Sequence, residues 1–205
     1  MCLKNPLLFL DFDGVLNSAF FFQDRTAGRT TISQKFLEQV SRGWGDFEEK
    51  AAEMGEDPRA FYKAWRDIDP RTVPRLNRII DHCSPEVIIS STWRLMYSKT
   101  LLQKILEEHG FTGQILDVTP NLDDYRTSSG QWVSANRGEE IAAWLSRKNR
   151  WGHRFAVLDD DSDMAGVREH LVQTSWESGL QDVHVEKVVT LLTEGPRPRH
   201  RSLSS

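Results

Sequence analysis

The stretch Leu7–Asn17, which reads Leu-Leu-Phe-Leu-Asp-Phe-Asp-Gly-Val-Leu-Asn, constrains this chain more than any other. The apolar run from Leu7 to Phe12 predicts a strand that is buried on both faces. Two carboxylates one residue apart, Asp11 and Asp13, close the run, and a glycine follows. A buried strand that ends in acidic groups brings them to the edge of a sheet. This stretch therefore predicts a reaction centre rather than an ordinary core strand.

Two further predicted strands also end in polar clusters. The strand 87–89 is followed by Ser90 and Ser91, and the strand 155–158 is followed by five residues, 159–163, of which four are aspartates. Predicted helices alternate with the strands, which favours a doubly wound parallel sheet. Ligands of such sheets bind at the carboxyl ends of the strands. The remaining predicted elements are helices at 73–83, 99–109, 136–145 and 183–192, and strands at 114–118 and 171–174.

The length of the chain allows one good core with an appended element. It has 205 residues, of which 39% are hydrophobic. We expect an α/β core formed by residues 1–17 and 72–193, and a small helical cap insertion at 18–71, where aromatic residues are scattered among charged ones. The polar segment 119–135 is expected to be a long functional loop. The Pro-, Arg- and Ser-rich tail, 194–205, is expected to be disordered.

The composition of the chain limits the kinds of partner and compartment that can be expected for it. The net charge of −4 gives no basic field, so no stable binding to a nucleic-acid duplex is expected. The two cysteines, Cys2 and Cys83, form no disulfide or metal pattern, which favours a reducing compartment. Asp11 interrupts the N-terminal apolar run before it reaches the length of a signal or membrane-spanning segment. The sequence therefore predicts a soluble, cytoplasmic protein without a membrane partner.

Carboxylates from two strand ends define the expected chemistry. Asp11, Asp13 and the 159–163 cluster repel one another unless a cation lies between them, and an all-oxygen site suits Mg²⁺ bridging to a phosphate. Ser90 can donate a hydrogen bond to a phosphoryl oxygen, and Arg137 supplies a fixed positive charge. Asp11 could then attack phosphorus while Asp13 transfers a proton.

These motifs resemble, in order, the four motifs of the haloacid dehalogenase (HAD) superfamily: Asp11–Asn17, then Ser90, then Arg137, then 159–163. The segments 88–94, 137–141 and 157–164 further resemble a HAD branch associated with bacterial and phage RNA-repair proteins. The resemblance implies a Rossmann-like parallel sheet with flanking helices and a small cap. It also implies phosphatase chemistry, because relatives that hydrolyse phosphoesters generally carry an aspartate at the position of Asp13.

The resemblance also assigns catalytic roles residue by residue. Asp11 would be the nucleophile that becomes an aspartyl phosphate. Asp13 would be the general acid and base. Ser90 would bind the phosphoryl group, and Arg137 would occupy the position usually held by lysine or arginine.

Metal and substrate contacts are implied less sharply. Asp163 would support the metal from outside, Ser91 competes with Ser90 for the phosphate, and Arg94 could reach a substrate phosphate. Trp93 could stack on a base or belong to the core. The residues expected around Mg²⁺ are Asp11, Asp13 (also through its backbone carbonyl), Asp160 and Asp159. Asp160 would be the acidic ligand and Asp159 would support it, but which of the consecutive aspartates meets the ion stays open.

The expected function is a Mg²⁺-dependent phosphatase acting on a phosphorylated small molecule or a nucleic-acid end. A lone Asp-x-Asp also occurs in metal-dependent glycosyltransferases, but its position between a strand and a glycine favours the phosphatase. Two alternatives stay open: a sugar-phosphate phosphatase, and a non-catalytic module that binds phosphorylated ends.

Overall fold

The computed structural model describes residues 5–28, 45–122, 125–126, 132–133 and 135–196. The predicted disorder of the tail falls on 197–205, outside the described residues. Residues 194–196 of the predicted tail are described, and the last helix continues to Glu194.

A parallel sheet of five strands forms the centre of the fold, as the alternating pattern predicted. Its spatial order is β3-β2-β1-β6-β7, and every pairing is parallel. The first strand ends two residues earlier than predicted, because the chain bends at Phe12 and turns from Asp13 onward. The strands are β1 (Leu7–Leu10), β2 (Glu86–Ile89), β3 (Ile115–Val118), β6 (Phe155–Asp159) and β7 (Leu171–Gln173).

Helices cover both faces of this sheet. Alternate residues of β1 divide between two hydrophobic clusters, with Leu8 in one and Phe9 in the other. The first face is covered by α4 (Val73–Cys83), α5 (Lys99–Glu108) and α7 (Asp182–Glu194), and the second by α6 (Arg137–Arg147). Among the described helices, none has the length and hydrophobicity needed to span a lipid bilayer.

The inserted segment is helical and contributes to the same core as the sheet. Its described helices are α1 (Ala19–Ala27), α2 (Gly45–Met54) and α3 (Pro58–Arg66). Asp57 caps α3 and Pro58 is its first residue. Phe61 and Trp65 of α3 are fully or almost fully buried in the cluster that contains Leu8. The described part of the insertion is therefore helical, as expected, whereas the assignment of 18–71 as a separate cap stays a prediction.

The segment 119–135 is not irregular throughout, which corrects the prediction of a long loop. Within it, β4 (Tyr125–Arg126) and β5 (Trp132–Val133) form a short antiparallel pair. Tyrosine, tryptophan and valine have strand propensity, but two-residue strands are too short to show a period of two in the sequence.

Candidate active site

Three polar residues lie side by side where the central strands end. Leu10 is opposite Ile89 on one side and Leu158 on the other, so the next position places Asp11 between Ser90 and Asp159. The residues two positions earlier on these strands all belong to the cluster under α6. By the alternation of strand side chains, the three polar residues therefore lie on that same face. All three are buried.

A carboxylate cluster forms here from Asp11, Asp159 and Asp160. One oxygen of each lies within 4.8 Å of the others. Burial raises the pKa of Asp11 to about 6, although Arg137 and a hydrogen bond from Ser91 oppose the shift. Burial, and then the charge of Asp11, raises the pKa of Asp159 to about 8, and burial also raises that of Asp160. The cluster therefore holds more negative charge than its surroundings offset.

Asp159 shows this imbalance most clearly. Its Oδ1 accepts a hydrogen bond from the backbone N–H of Asp161 at 2.9 Å. Its Oδ2 is buried and has no hydrogen-bond partner among the described residues. Since buried carboxylate oxygens are normally paired or bound to a metal, this cluster fits a divalent cation with oxygen ligands.

Arg137 supplies positive charge to the cluster from the first residue of α6. Its Nε lies 3.8 Å from Oδ2 of Asp159, and its Nη1 lies 3.9 Å from Oε2 of Glu140. Both distances exceed hydrogen-bond length, so a phosphoryl oxygen can approach the guanidinium. A cation at a helix N-terminus is unfavourable unless an anion is near, which fits this position beside the cluster.

Asp13 lies outside the carboxylate cluster, and both of its oxygens accept hydrogen bonds. Oδ1 accepts from the side-chain amide of Asn17 at 2.9 Å, and Oδ2 accepts from the indole N–H of Trp93 at 3.0 Å. Trp93 is only 5% exposed and stacks on Phe12. The structure thus decides the open question about Trp93, which is a core residue with a polar contact to Asp13.

The two serines after β2 differ in their contacts. The Ser91 side chain hydrogen-bonds Asp11 and accepts from the backbone N–H of Trp93 at 3.3 Å. The Ser90 side chain is fully buried, and its Oγ has no hydrogen-bond partner among the described residues. Ser90 is therefore placed to donate to a ligand, while Ser91 is already bonded to the nucleophile position.

The guanidinium of Arg94 is hydrogen-bonded to acceptors within the protein. Its guanidinium donates to the carbonyl oxygens of Ser91 at 2.6 Å, Thr119 at 3.0 Å and Pro120 at 3.2 Å, and it lies 2.7 Å from Oε2 of Glu140. The side chain is only 3% exposed. These contacts fasten the segment after β3 to the end of β2. Direct contact between Arg94 and a substrate phosphate stays a prediction.

Asp163, which the sequence placed near the metal, supports the start of α6. Its side chain accepts from the backbone N–H of Arg137 at 3.3 Å, and its carbonyl accepts from that of Gly138 at 3.3 Å. A Cβ atom on Gly138 would lie 2.4 Å from the carbonyl oxygen of Ala165, so this close approach requires glycine. Asn136 and Glu139 form a capping box at the start of α6. Together these contacts fix the position of Arg137.

Comparison with protein-family models decides the identity of the fold. Residues 7–185 match the model described as the HAD domain in Swiss Army Knife RNA repair proteins. The chain belongs to this family. The HAD domain is also similar to a solved structure, a haloacid dehalogenase-like family hydrolase from Streptococcus pneumoniae, with 17% identity, a TM-score of 0.40 and coverage of 92% of each chain. No curated protein matches the chain.

Family membership confirms the resemblance on which the sequence prediction depended, including the RNA-repair branch. It supports a hydrolase of the phosphatase type in general. Three residues around the HAD site had no role in the sequence prediction: Asn17, Glu140 and Thr174, whose hydroxyl donates to the Gly14 carbonyl at 2.7 Å. Asn17 and Glu140 lie within the recognised motifs, whereas no pattern in the sequence indicated Thr174.

Proposed function

We propose that this HAD domain is a Mg²⁺-dependent phosphomonoesterase that forms an aspartyl phosphate on Asp11 and acts on nucleotides or nucleic-acid ends. The observation that carries the proposal is the in-register row of Ser90, Asp11 and Asp159. It combines, at one sheet edge, a carboxylate for nucleophilic attack with a buried hydroxyl and a buried carboxylate oxygen that have no hydrogen-bond partner among the described residues.

The carboxylate cluster would hold the ion. Asp11, Asp159 and Asp160 offer the all-oxygen ligand set that Mg²⁺ prefers. When bound, Mg²⁺ supplies positive charge that offsets the repulsion between the carboxylates and a phosphate. Ligation by Asp13 through its backbone carbonyl remains part of the proposal, since its side chain points to Asn17 and Trp93.

Different side chains then have different roles in the two halves of the reaction. A carboxylate oxygen of Asp11 attacks phosphorus, and the bond to the leaving oxygen breaks as Asp13 gives that oxygen its proton. Ser90 and Arg137 bind the phosphoryl oxygens and stabilise the charge that develops on them. In the second half, Asp13 takes a proton from water as the water attacks the aspartyl phosphate. This step releases phosphate and restores Asp11.

Two features support a nucleotide or nucleic-acid substrate. The matched family is described by its occurrence in RNA repair proteins. In addition, Trp176 and Phe20 are 45% and 54% exposed. The segments that carry them are joined, since the backbone N–H of Ala19 donates to the carbonyl of Trp176 at 2.8 Å. The hydrogen bond from Thr174 to the Gly14 carbonyl joins the second segment to the turn after Asp13. Exposed aromatic rings can stack on bases of a single strand, which agrees with the expected absence of stable duplex binding.

The test compares three proteins under the same conditions. Wild type, Asp11→Asn and Asp161→Asn are incubated with Mg²⁺ and p-nitrophenyl phosphate. The third is a matched control, because Asp161 is an exposed aspartate of the same run outside the carboxylate cluster. The proposal predicts release of p-nitrophenol by wild type and Asp161→Asn, and none by Asp11→Asn. If all three are inactive with a range of divalent metals, the non-catalytic binding module replaces the enzyme.

A second panel identifies the substrate class. Values of kcat/KM are compared for 3′- and 5′-phosphorylated oligonucleotides, mononucleotides and sugar phosphates. The proposal predicts that the oligonucleotides or mononucleotides rank first, and that Trp176→Ala lowers their kcat/KM more than that of p-nitrophenyl phosphate. A sugar phosphate in first place would contradict this part of the proposal.

A further inference from the structure

Two hydrogen-bond donors hold the carboxyl group of Asp13, one near it in the sequence and one distant. Asn17 lies four positions away and Trp93 lies 80 positions away. The Asn17 side chain is itself fixed, because its carbonyl oxygen accepts from the backbone N–H of Gly14 at 3.0 Å. One donor thus comes from the turn after β1, and the other from the 3₁₀ turn Thr92–Leu95 after β2.

Trp93 is a rigid support for this contact. Its ring stacks on Phe12 with 4.8 Å between ring centroids and an interplanar angle of 25°, and the edge of Tyr97 packs at 5.5 Å. Its backbone N–H donates to Ser91, whose side chain hydrogen-bonds Asp11. The indole cannot shift without disturbing the core under both aspartates.

We infer that Trp93 is a positioning residue that aims the proton of Asp13 at the leaving oxygen, an inference that rests on the proposed phosphatase function. A carboxyl group offers about four acceptor positions, two on each oxygen. The indole N–H and the Asn17 amide occupy one on each oxygen and so fix the plane of the group. The positions left for the proton then have a fixed direction. In the first half of the reaction, this proton moves to the leaving oxygen as the phosphorus–oxygen bond breaks.

This role predicts a dependence on the leaving group. The leaving group of p-nitrophenyl phosphate is the more acidic phenol, so its oxygen leaves without being protonated. The leaving group of phenyl phosphate is less acidic and needs the proton of Asp13. Trp93→Phe keeps an aromatic ring against Phe12 but removes the N–H. The ratio of kcat/KM for p-nitrophenyl phosphate to kcat/KM for phenyl phosphate should therefore rise about tenfold in this variant.

Trp144→Phe is a matched control. Trp144 is 2% exposed, packs edge-on against Phe9 at 5.5 Å and donates its indole N–H to Oδ2 of Asp117 at 3.0 Å. The same substitution there removes the same kind of hydrogen bond from a different carboxylate, outside the site. The ratio for Trp144→Phe should equal that of wild type.

Replacement of Trp93 by benzothienylalanine keeps the whole bicyclic ring and exchanges only the N–H for sulfur, so it serves if Trp93→Phe fails to fold. The same rise in the ratio is expected. An equal loss of kcat/KM for both substrates, or no loss, would overturn the positioning role while the phosphatase function stands. A wild type that hydrolyses neither substrate would overturn the proposed function and, with it, the role of Trp93.

Discussion

The carboxylate of Asp160 lies directly against Gly14. A Cβ atom built on Gly14 would be 2.2 Å from Oδ2 of Asp160, and the backbone at Gly14 has a φ of +65°. Position 14, after the Asp-x-Asp motif, therefore requires glycine for two physical reasons. It permits a left-handed turn, and it leaves room for a member of the carboxylate cluster.

Gly14→Ala should consequently weaken Mg²⁺ binding as well as the fold. The left-handed backbone costs an alanine about 1 kcal/mol or more, and the added methyl group displaces Asp160. We expect kcat to fall at least about tenfold and the Mg²⁺ concentration for half-maximal activity to rise. Gly55→Ala is the control, because Gly55 has a φ of +68° and no atom of the described residues lies within 4 Å of a built Cβ. An equal effect of both variants on activity would contradict the role of the Asp160 contact.

Ser90→Ala should separate stability from activity. The buried Oγ of Ser90 has no hydrogen-bond partner in the described protein, so its removal should leave the free energy of unfolding unchanged or slightly higher. Activity should fall about tenfold or more, because a phosphoryl oxygen loses its donor. Urea denaturation and kcat/KM on the same preparations check both. A clear loss of stability with unchanged kcat/KM would show that the hydroxyl is structural.

The sequence predicted the strand ends well because register in a parallel sheet follows from apolar runs. Asp11, Ser90 and Asp159 meet for that reason, and the helix start at Asn136 follows from local chemistry alone. The contact between Trp93 and Asp13 could not be derived, because it depends on the side-chain direction in a 3₁₀ turn 80 residues away.

The contact between Arg94 and Glu140 could not be predicted from the sequence for a similar reason. No pattern in the sequence pairs Glu140 with Arg94, yet the packing of α6 on the sheet buries the two side chains together. Patterns along one element do not show which charges two elements bury together. The sequence therefore identified an arginine near the site but not the carboxylate that it contacts.

Arg94→Lys should destabilise the fold nearly as much as Arg94→Ala. Arg94 has contacts with three carbonyl groups and Glu140, and a lysine ammonium cannot reach all four. Arg94→Ala breaks the buried ion pair with Glu140, which costs about 3 to 5 kcal/mol. Arg137, 3.9 Å from Glu140, offsets only part of this loss. Urea denaturation measures the loss. A substrate-binding role predicts the opposite pattern, with a raised KM and an unchanged free energy of unfolding.

Asp159→Asn should stabilise the metal-free protein at alkaline pH. The folded state raises the pKa of Asp159 to about 8, mainly through burial, so ionisation opposes folding. In EDTA, the contribution of this group to stability is greatest at acidic pH and is lost as pH rises toward 8 and above. The variant lacks that loss and should be more stable than wild type at pH 8 or above by on the order of 2 kcal/mol.

Mg²⁺ should remove the difference in stability between Asp159→Asn and wild type. The ion offsets the charge of the carboxylate cluster, so it should raise the melting temperature of wild type more than that of Asp159→Asn. Thermal unfolding with EDTA and with Mg²⁺ gives the comparison. Equal stabilisation of both proteins by Mg²⁺ would remove Asp159 from the set of metal ligands.

His109, which ends α5, should make the contact between α3 of the insertion and α5 sensitive to acid. Its ring stacks on Trp65 of α3 with 5.2 Å between centroids, and its Nε2 lies 2.9 Å from the Trp65 carbonyl oxygen. Burial lowers the pKa of His109 to about 4. The neutral ring therefore contributes stability that is complete above the unfolded pKa of about 6.5 and is lost as pH falls toward 4, by about 3 kcal/mol in all.

His109→Gln keeps a donor for the Trp65 carbonyl but cannot take up the proton, so its free energy of unfolding should fall less than that of wild type between pH 7 and pH 4. His82→Gln is the control, because His82 is exposed and also contacts a backbone carbonyl oxygen, that of Arg78 at 2.7 Å. Burial also lowers the pKa of His170 and His184, so both proteins should retain some loss in acid. Parallel curves for wild type and His109→Gln would show that protonation of His109 does not oppose folding. A smaller slope for His109→Gln alone would place the acid-sensitive contact between α3 and the core.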